Sequence, residues 1–289
     1  MNSAIEQMLE KYNCQTPDEY KNALKEIIQE LALSGLNRCN FFGDAAFYGG
    51  SALRIFHELD RFSEDLDFSL LEPNDSFNIS RCCDSILFEL ESYGFSVAAD
   101  PVQKTIETPI ESAFIKGSTK IHLIKIGAFE PPIAGISTSD IIKIKLEVDT
   151  NPPGYGETEI LYLLNPIPFG VRVFTLPALF AGKIHAVLCR SWGSDRIKGR
   201  DLYDYIWYLS KGVTVDMMYL GHKLHQTGHL QSSTLDMEGL KEMLRNKFSI
   251  IDYAKAVDDV RPFIKDTKSL EIWSVDFFKS ITNRIKAKV

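Results

Sequence analysis

The chain has 289 residues, of which 45% are hydrophobic and 25% charged, so it resembles ordinary globular proteins and is long enough for about two domains. Its first ten residues lack the basic region and apolar block of a secretory signal, and no apolar run could span a bilayer, so we expect a cytoplasmic protein without a membrane partner. A net charge of −7 argues against a surface that is basic throughout, although a local basic groove for RNA is compatible with it.

A helix is predicted close to the N-terminus. Thr16 has the right chemistry for an N-cap, and Pro17 suits the first helical position. Apolar residues then recur on one face as far as Gly35. We expect this helix to pack against a sheet that begins near Asp44, and we assign it no chemistry.

A glycine-rich turn follows the first predicted strand. The apolar residues 45–48 lead into Gly49, Gly50 and Ser51, and helical periodicity resumes directly afterwards. Paired glycines let a backbone approach a ligand closely, and the amides at the start of a helix favour an anion. The turn therefore predicts a phosphate-binding site.

Two aspartates lie on the next predicted strand. Alternation places Asp65 and Asp67 on one face and Leu66 and Phe68 on the other. Paired carboxylates of this kind suit Mg²⁺, which proteins often hold with one or two carboxylates plus substrate phosphates. The alternative is a solvated edge strand, because alternating acids also occur there without a function.

These two motifs together resemble the nucleotidyltransferase superfamily that includes DNA polymerase beta. Gly-Gly-Ser-Ala-Leu at residues 49–53 and Arg-x-Ser-x-Asp-x-Asp-Phe at residues 61–68 are similar to the AbiEii/MenT group of toxins. The resemblance implies two Mg²⁺ ions, a nucleoside triphosphate (NTP) substrate bound by the glycine-serine turn, and an RNA acceptor such as a tRNA end. It also implies a cognate antitoxin protein as a partner.

A later strand, residues 141–150, offers a third carboxylate. Its parity places Lys143, Lys145, Glu147 and Asp149 on one face. The superfamily takes a further metal ligand from a neighbouring strand, and the resemblance favours Glu147 for it, with Asp149 next. An exposed face of alternating charge explains the same pattern without any metal.

The order of elements predicts an α+β fold: a nucleotidyltransferase-like mixed sheet flanked by helices, followed by a C-terminal helical domain. We place the boundary between residues 168 and 169, because the chain beyond Leu176 is mainly helical in pattern. Besides the strands named above, we expect a helix over residues 79–93 and strands over residues 95–98, 110–115, 121–126, 159–164 and 171–174.

Two residues of the helical part complete the predicted site. Lys183 lies on an apolar helix, residues 178–192, and in the resembling family this segment supplies a phosphate-binding lysine. Asp201 matches the family's late aspartate, which is catalytic or orients that lysine. The sequence alone allows a structural alternative for both residues. In that alternative Lys183 extends its amine to water and Asp201 caps the N-terminus of the next helix.

The histidines and cysteines of the sequence do not predict a metal site. His222, His225 and His229 lack an acidic pair at metalloprotease spacing. The cysteines are Cys14, Cys39, Cys82, Cys83 and Cys189, and their scattered positions predict reduced thiols.

The sequence therefore predicts an Mg²⁺-dependent enzyme that moves a nucleoside monophosphate from an NTP to an acceptor hydroxyl. The catalytic set is Asp65, Asp67, Glu147, Asp149, Lys183 and Asp201, with Gly49, Gly50, Ser51 and Lys183 binding the nucleotide and Asp65, Asp67 and Glu147 binding metal. Two alternatives stay open at this point. One is an antibiotic-type, small-molecule acceptor, which the acidic net charge favours, and the other is a non-catalytic relative that binds nucleotide or a partner.

Overall fold

A computed structural model describes residues 3–95, 97–101, 110–118, 141–190 and 197–288. The chain forms two compact units. The first unit comprises Met1–His57, Phe62–Pro152 and Ile160–Val173, and the second comprises Glu58–Arg61, Pro153–Glu159 and Phe174–Val289. The predicted strand over residues 121–126 lies outside the described residues.

The strands of the described chain form one mixed sheet, which confirms the predicted α+β class. The strands are β1 (Ala45–Tyr48), β2 (Leu66–Leu70), β3 (Val97–Pro101), β4 (Ile110–Ser118), β5 (Ile141–Asp149), β6 (Thr158–Leu163) and β7 (Phe169–Phe174). Their order in the sheet is β3-β4-β5-β2-β1-β7-β6. Strand β2 pairs antiparallel with β1 on one side and parallel with β5 on the other, so it lies in the middle of the sheet.

The helices of the first unit pack on this sheet and on each other. Thr16 caps the longest of them through a capping box with Glu19, as its sequence predicts. These helices are α1 (Ser3–Glu10), α2 (Pro17–Arg38), α3 (Gly49–His57) and α4 (Ser80–Ser92).

An aromatic cluster anchors the central strands. Phe68 of β2 is fully buried, and its ring centroid lies 5.0 Å from that of Phe41 and 5.1 Å from that of Phe47. Burying a phenylalanine contributes about 1.5–3 kcal/mol relative to leaving it exposed. Because side chains alternate along a strand, burying Phe68 and Leu66 on one face directs Asp67 to the other.

The second unit is mainly helical within the described residues. Its core contains Phe180 stacked on Tyr208, with 4.5 Å between ring centroids, and Phe248 against Phe278 at 5.2 Å. Four of its helices begin at a Ser or Asp side chain that accepts a hydrogen bond from the first turn, the usual N-cap arrangement. The helices are α5 (Leu176–Cys189), α6 (Gly199–Ser210), α7 (Met217–Gln226), α8 (Met237–Phe248), α9 (Tyr253–Val260) and α10 (Val275–Ile281).

The prediction of reduced cysteines is wrong for one pair. Cys39 and Cys82 form a disulfide, with 5.7 Å between their Cα atoms. Cys39 follows the last turn of α2 and Cys82 lies in the first turn of α4, and these two helices pack together. The two cysteines are 43 positions apart in the sequence, so no local pattern indicates that they are close.

None of the described helices is both long enough and apolar enough to cross a lipid bilayer.

Candidate active site

The glycine turn lies directly against Asp67. Strand β1 ends at Tyr48, whose register partner on β2 is Asp67, and helix α3 begins at Gly49. Gly49 has a φ of +82°, and a Cβ atom built on it would lie 2.5 Å from Oδ2 of Asp67. Both the backbone conformation and the carboxylate therefore require glycine at this position.

Ser51 connects the same turn to the start of β2. Its side chain is fully buried, and its hydroxyl donates a hydrogen bond to the backbone carbonyl of Asp65. Asp65 itself comes immediately before the first residue of β2. The hydroxyl of Ser51 thus links the two motifs, and the contact of Ser51 with the nucleotide stays a prediction.

Strand β5 brings its carboxylates to the same face as Asp67. The register pairs Asp67 with Glu147 and Ser69 with Asp149 on neighbouring parallel strands, whose spacing is about 4.8 Å. Lys145 donates a hydrogen bond to Oε1 of Glu147, and the backbone amide of Asn151 donates to Oδ1 of Asp149 at 3.0 Å. Of the two predicted third carboxylates, Glu147 is therefore the one opposite Asp67.

Helix α2 holds the segment that leads into β2. Gln29, which is almost completely buried, donates a hydrogen bond to the carbonyl of Ser63 at 3.1 Å. Lys25 forms an ion pair with Glu64 at 2.8 Å. These contacts fix the backbone just before Asp65, so α2 has a positioning role that its sequence pattern did not indicate.

The carboxylate face has the donor chemistry that a divalent cation needs. Asp67, Glu147 and Asp149 are half-buried, offer hard oxygen atoms, and share one side of the sheet. The absence of a side chain at Gly49 lets the carboxylate of Asp67 lie directly against the turn. As the side chains stand, the part of the chain that the structure describes has no group of three His, Cys, Asp or Glu residues arranged to hold a metal ion.

The second unit contains a buried ionic cluster around Lys183. Its ammonium group lies 2.7 Å from Oδ1 of Asp201 and 2.8 Å from Oδ2 of Asp204. Arg61 binds Asp204 through two hydrogen bonds of 2.6 and 2.7 Å, and Arg190 forms an ion pair with Asp201. Asp201 is therefore in direct contact with Lys183, while its catalytic or orienting role stays a prediction.

Mutual attraction keeps these groups charged although they are buried. Burial alone would lower the pKa of Lys183, but Asp201 and Asp204 outweigh it and raise that pKa. Burial alone would likewise raise the pKa of Asp204, but Arg61 and Lys183 lower it to about 2. The same competition lowers the pKa of Asp201, with Lys183 and Arg190 as its cations.

Sequence reasoning missed two members of this cluster. Arg61 appeared only as the first residue of the Arg-x-Ser-x-Asp-x-Asp motif, and Asp204 was not singled out. The two residues are 143 positions apart, and no local pattern pairs them.

The chain is similar to a known protein family over most of its length. Residues 31–280 match the family model described as "Nucleotidyl transferase AbiEii toxin, Type IV TA system". No curated protein sequence matches it.

Two solved structures from Helicobacter pylori resemble the chain. One, described provisionally as a nucleotidyltransferase, is 17% identical, with 89% of each chain covered and a TM-score of 0.46. The other, JHP933, is 18% identical over 90% of this chain and 88% of that one, with a TM-score of 0.47.

Proposed function

The chain belongs to the AbiEii family of nucleotidyl transferase toxins, and from that premise we propose that it moves a nucleoside monophosphate from an NTP to a hydroxyl of an RNA acceptor. Pyrophosphate is the leaving group. The acceptor hydroxyl is proposed to belong to the end of a tRNA. The chain acts as the toxin of a toxin-antitoxin pair, with a cognate antitoxin that restrains it.

One observation supports this proposal most strongly. Gly49 faces Asp67 so closely that a Cβ atom at position 49 would lie 2.5 Å from the carboxylate oxygen, and Asp67 in turn faces Glu147 across two parallel strands. A turn that binds phosphate and a face that binds metal are thus parts of one small structure. Nucleotidyl transfer needs this combination, because the metal must reach the phosphates that the turn holds.

We assign the roles of the first unit as follows. Asp65, Asp67 and Glu147 hold Mg²⁺, with Asp149 as the alternative to Glu147, and the backbone of Gly49 and Gly50 accommodates the triphosphate. Bound Mg²⁺ would neutralise phosphate charge and favour deprotonation of the acceptor hydroxyl. Ser51 fixes the position of the turn relative to Asp65 through its buried hydrogen bond.

In the second unit, Lys183 is proposed to bind the triphosphate, and Asp201 to orient it. The short ion pair between them supports the orienting role, because it holds the ammonium group in one place. Lys183 also pairs with Asp204, so a bound phosphate has to compete with this second carboxylate for the ammonium group of Lys183.

The test is transfer of label from nucleotide to acceptor. Purified protein is incubated with total RNA and each of the four α-labelled NTPs, with Mg²⁺ or with chelator. We expect label in a discrete RNA species with at least one NTP, in the presence of Mg²⁺ only. If label appears only in small molecules, the acceptor is a small molecule and not RNA. If no NTP raises the melting temperature in the presence of Mg²⁺, the proposal fails.

A further inference from the structure

An exposed tyrosine lies in the second unit, on the loop that precedes β6. The ring of Tyr155 stacks on that of His222, a half-buried residue of α7, with 3.8 Å between centroids and 11° between planes. Tyr155 nevertheless remains 57% exposed. The Tyr155 ring, backed by the imidazole, therefore presents a π surface to solvent.

The backbone holds this ring in an unusual conformation. Tyr155 has a φ of +65°, a region that residues with large side chains rarely adopt. The next residue, Gly156, packs so closely that any Cβ atom there would overlap the ring of Phe174. The packing of Gly156 thus holds the loop in place while the ring of Tyr155 remains exposed, and backbone strain of this kind persists only where the surroundings impose it.

Positive charge accompanies the aromatic pair. His222 and Lys223 are consecutive on α7, and the ammonium group of Lys223 lies 5.3 Å from the centre of the Tyr219 ring. Residues 217–235 contain Lys223 and three histidines but no Asp or Glu, in a protein whose net charge is −7. On the neighbouring helix α5, burial is the main cause that lowers the pKa of His185 to about 4, and Lys223 and His229 lower it further.

Helix stability explains only part of this arrangement. Lys223 lies in the last turn of α7, where a cation complements the helix dipole. The dipole does not account for a tyrosine ring held outside the core in a strained conformation. Aromatic rings beside cations are the usual means by which proteins bind single-stranded nucleic acid, because bases stack on the rings and phosphates contact the cations.

We infer that Tyr155, His222 and Lys223 bind single-stranded RNA, with an unpaired base stacked on Tyr155 and a backbone phosphate near Lys223. The choice of RNA rests on the proposed function, whereas the binding surface follows from the geometry of the second unit. The three residues would then engage the acceptor strand as a binding surface and take no part in the chemical step.

The test uses the full-length protein and a fluorescent, unstructured 12-nucleotide RNA. Fluorescence anisotropy should show that Tyr155→Ala weakens binding about tenfold, since one base stacked on an aromatic ring is worth about 1–3 kcal/mol. Tyr155→Phe should bind like the original protein, because it keeps the ring. Tyr162→Ala is the matched control, since Tyr162 is 69% exposed but lies on β6 of the first unit, and it should have no effect.

Two further measurements separate stacking from charge. An abasic oligomer of the same length should bind Tyr155→Ala and the original protein equally. Lys223→Gln should reduce the slope of log binding constant against log salt concentration by about 1, the contribution of one phosphate contact. If Tyr155→Ala is poorly folded by its melting curve, His222→Ala replaces it and should show the same base-dependent loss.

The inference is overturned if the original protein does not bind the RNA, if Tyr155→Ala binds it equally well, or if Tyr162→Ala loses as much. The rise in melting temperature on adding Mg²⁺ and NTP is measured for every variant and should be the same with and without Tyr155. If the original protein shows no such rise, the result counts against the proposed function. The inference that Tyr155 binds an RNA base would not be affected by that result.

Discussion

Each unit contains a cluster of charged residues, and the two clusters differ in the burial of their carboxylates. On the sheet of the first unit, Asp67, Glu147 and Asp149 share a half-buried face on which Lys145 pairs with Glu147. In the second unit, Asp201 and Asp204 are buried and matched by Lys183, Arg61 and Arg190. The carboxylates of the first cluster are half-buried and remain in contact with water, whereas those of the second are buried and neutralise cations.

This difference shows that residue type alone does not define a metal site. Buried carboxylates stay charged only when cations compensate them, and each compensating ion pair removes oxygen lone pairs from possible metal binding. Half-buried carboxylates retain contact with water and can exchange it for a ligand. This difference is why the proposed metal ligands are those of the sheet and not those of the buried cluster.

The largest expected effect comes from breaking the buried cluster. Asp204→Ala leaves Arg61 and Lys183 buried with less negative charge, so we expect the free energy of unfolding to fall by about 3–5 kcal/mol. Urea denaturation measures it. Asp258→Ala is the control, because Asp258 is 72% exposed in its ion pair with Arg261 and should change stability by less than about 1 kcal/mol. If the free energy of unfolding falls equally in the two variants, the claim that the buried ion pairs stabilise the protein more than the exposed one is contradicted.

A pH titration tests the same cluster without a mutation. The pKa of Asp204 falls from its ordinary 3.8 to about 2 in the folded protein. Because the folded pKa is depressed, its contribution is complete above about pH 4 and is lost as the pH falls toward about 2. We expect about 2 kcal/mol of unfolding free energy to disappear in this window. An unfolding free energy that stays constant across it would refute the charged state of Asp204.

Gly49→Ala tests the contact between turn and carboxylate. The new Cβ atom meets Oδ2 of Asp67, and the left-handed backbone costs about 1–2 kcal/mol for a residue other than glycine. We expect that loss in urea denaturation, together with weaker Mn²⁺ binding by isothermal titration calorimetry, because Asp67 must move. Gly182→Ala is the control, since its Cβ atom meets nothing within 4 Å and Gly182 lies in helix α5.

The smallest effect is expected from Lys145. Its ion pair with Glu147 is partly exposed, so Lys145→Met should change stability by less than about 1 kcal/mol. Without the competing cation, Mn²⁺ should bind up to about fivefold more tightly, as measured by calorimetry. Weaker binding in this variant would show that Lys145 supports the carboxylate face instead of masking it.

The sequence predicted the parts of the fold that depend on local patterns. Alternation along β2 and β5 placed Asp67, Glu147 and Asp149 on defined strand faces, and the register of the sheet puts these faces together. Capping and periodicity predicted α2 with its start at Thr16 and Pro17. The roles of Asp65, Asp67, Glu147, Asp149, Lys183 and Asp201 in catalysis stay predictions.

Contacts between distant residues were beyond sequence reasoning. The Cys39–Cys82 disulfide depends on the packing of α2 against α4, and the pairing of Arg61 with Asp204 depends on the fold of the second unit. Ser51 is an intermediate case. Its motif was recognised, but whether its hydroxyl donates to a ligand or to the carbonyl of Asp65 depends on a turn geometry that the sequence does not contain.

The measurement that tests the central claim most directly is nucleotide transfer by Asp67→Asn. This substitution preserves the size of the side chain but removes the charge that faces Glu147 and the glycine turn. We expect an unchanged melting temperature, no Mg²⁺-dependent stabilisation by NTP, and transfer of label to RNA below about one-hundredth of the original rate, a barrier increase of about 3 kcal/mol. Transfer at the original rate by a folded Asp67→Asn protein would contradict the assignment of this carboxylate face as the active site.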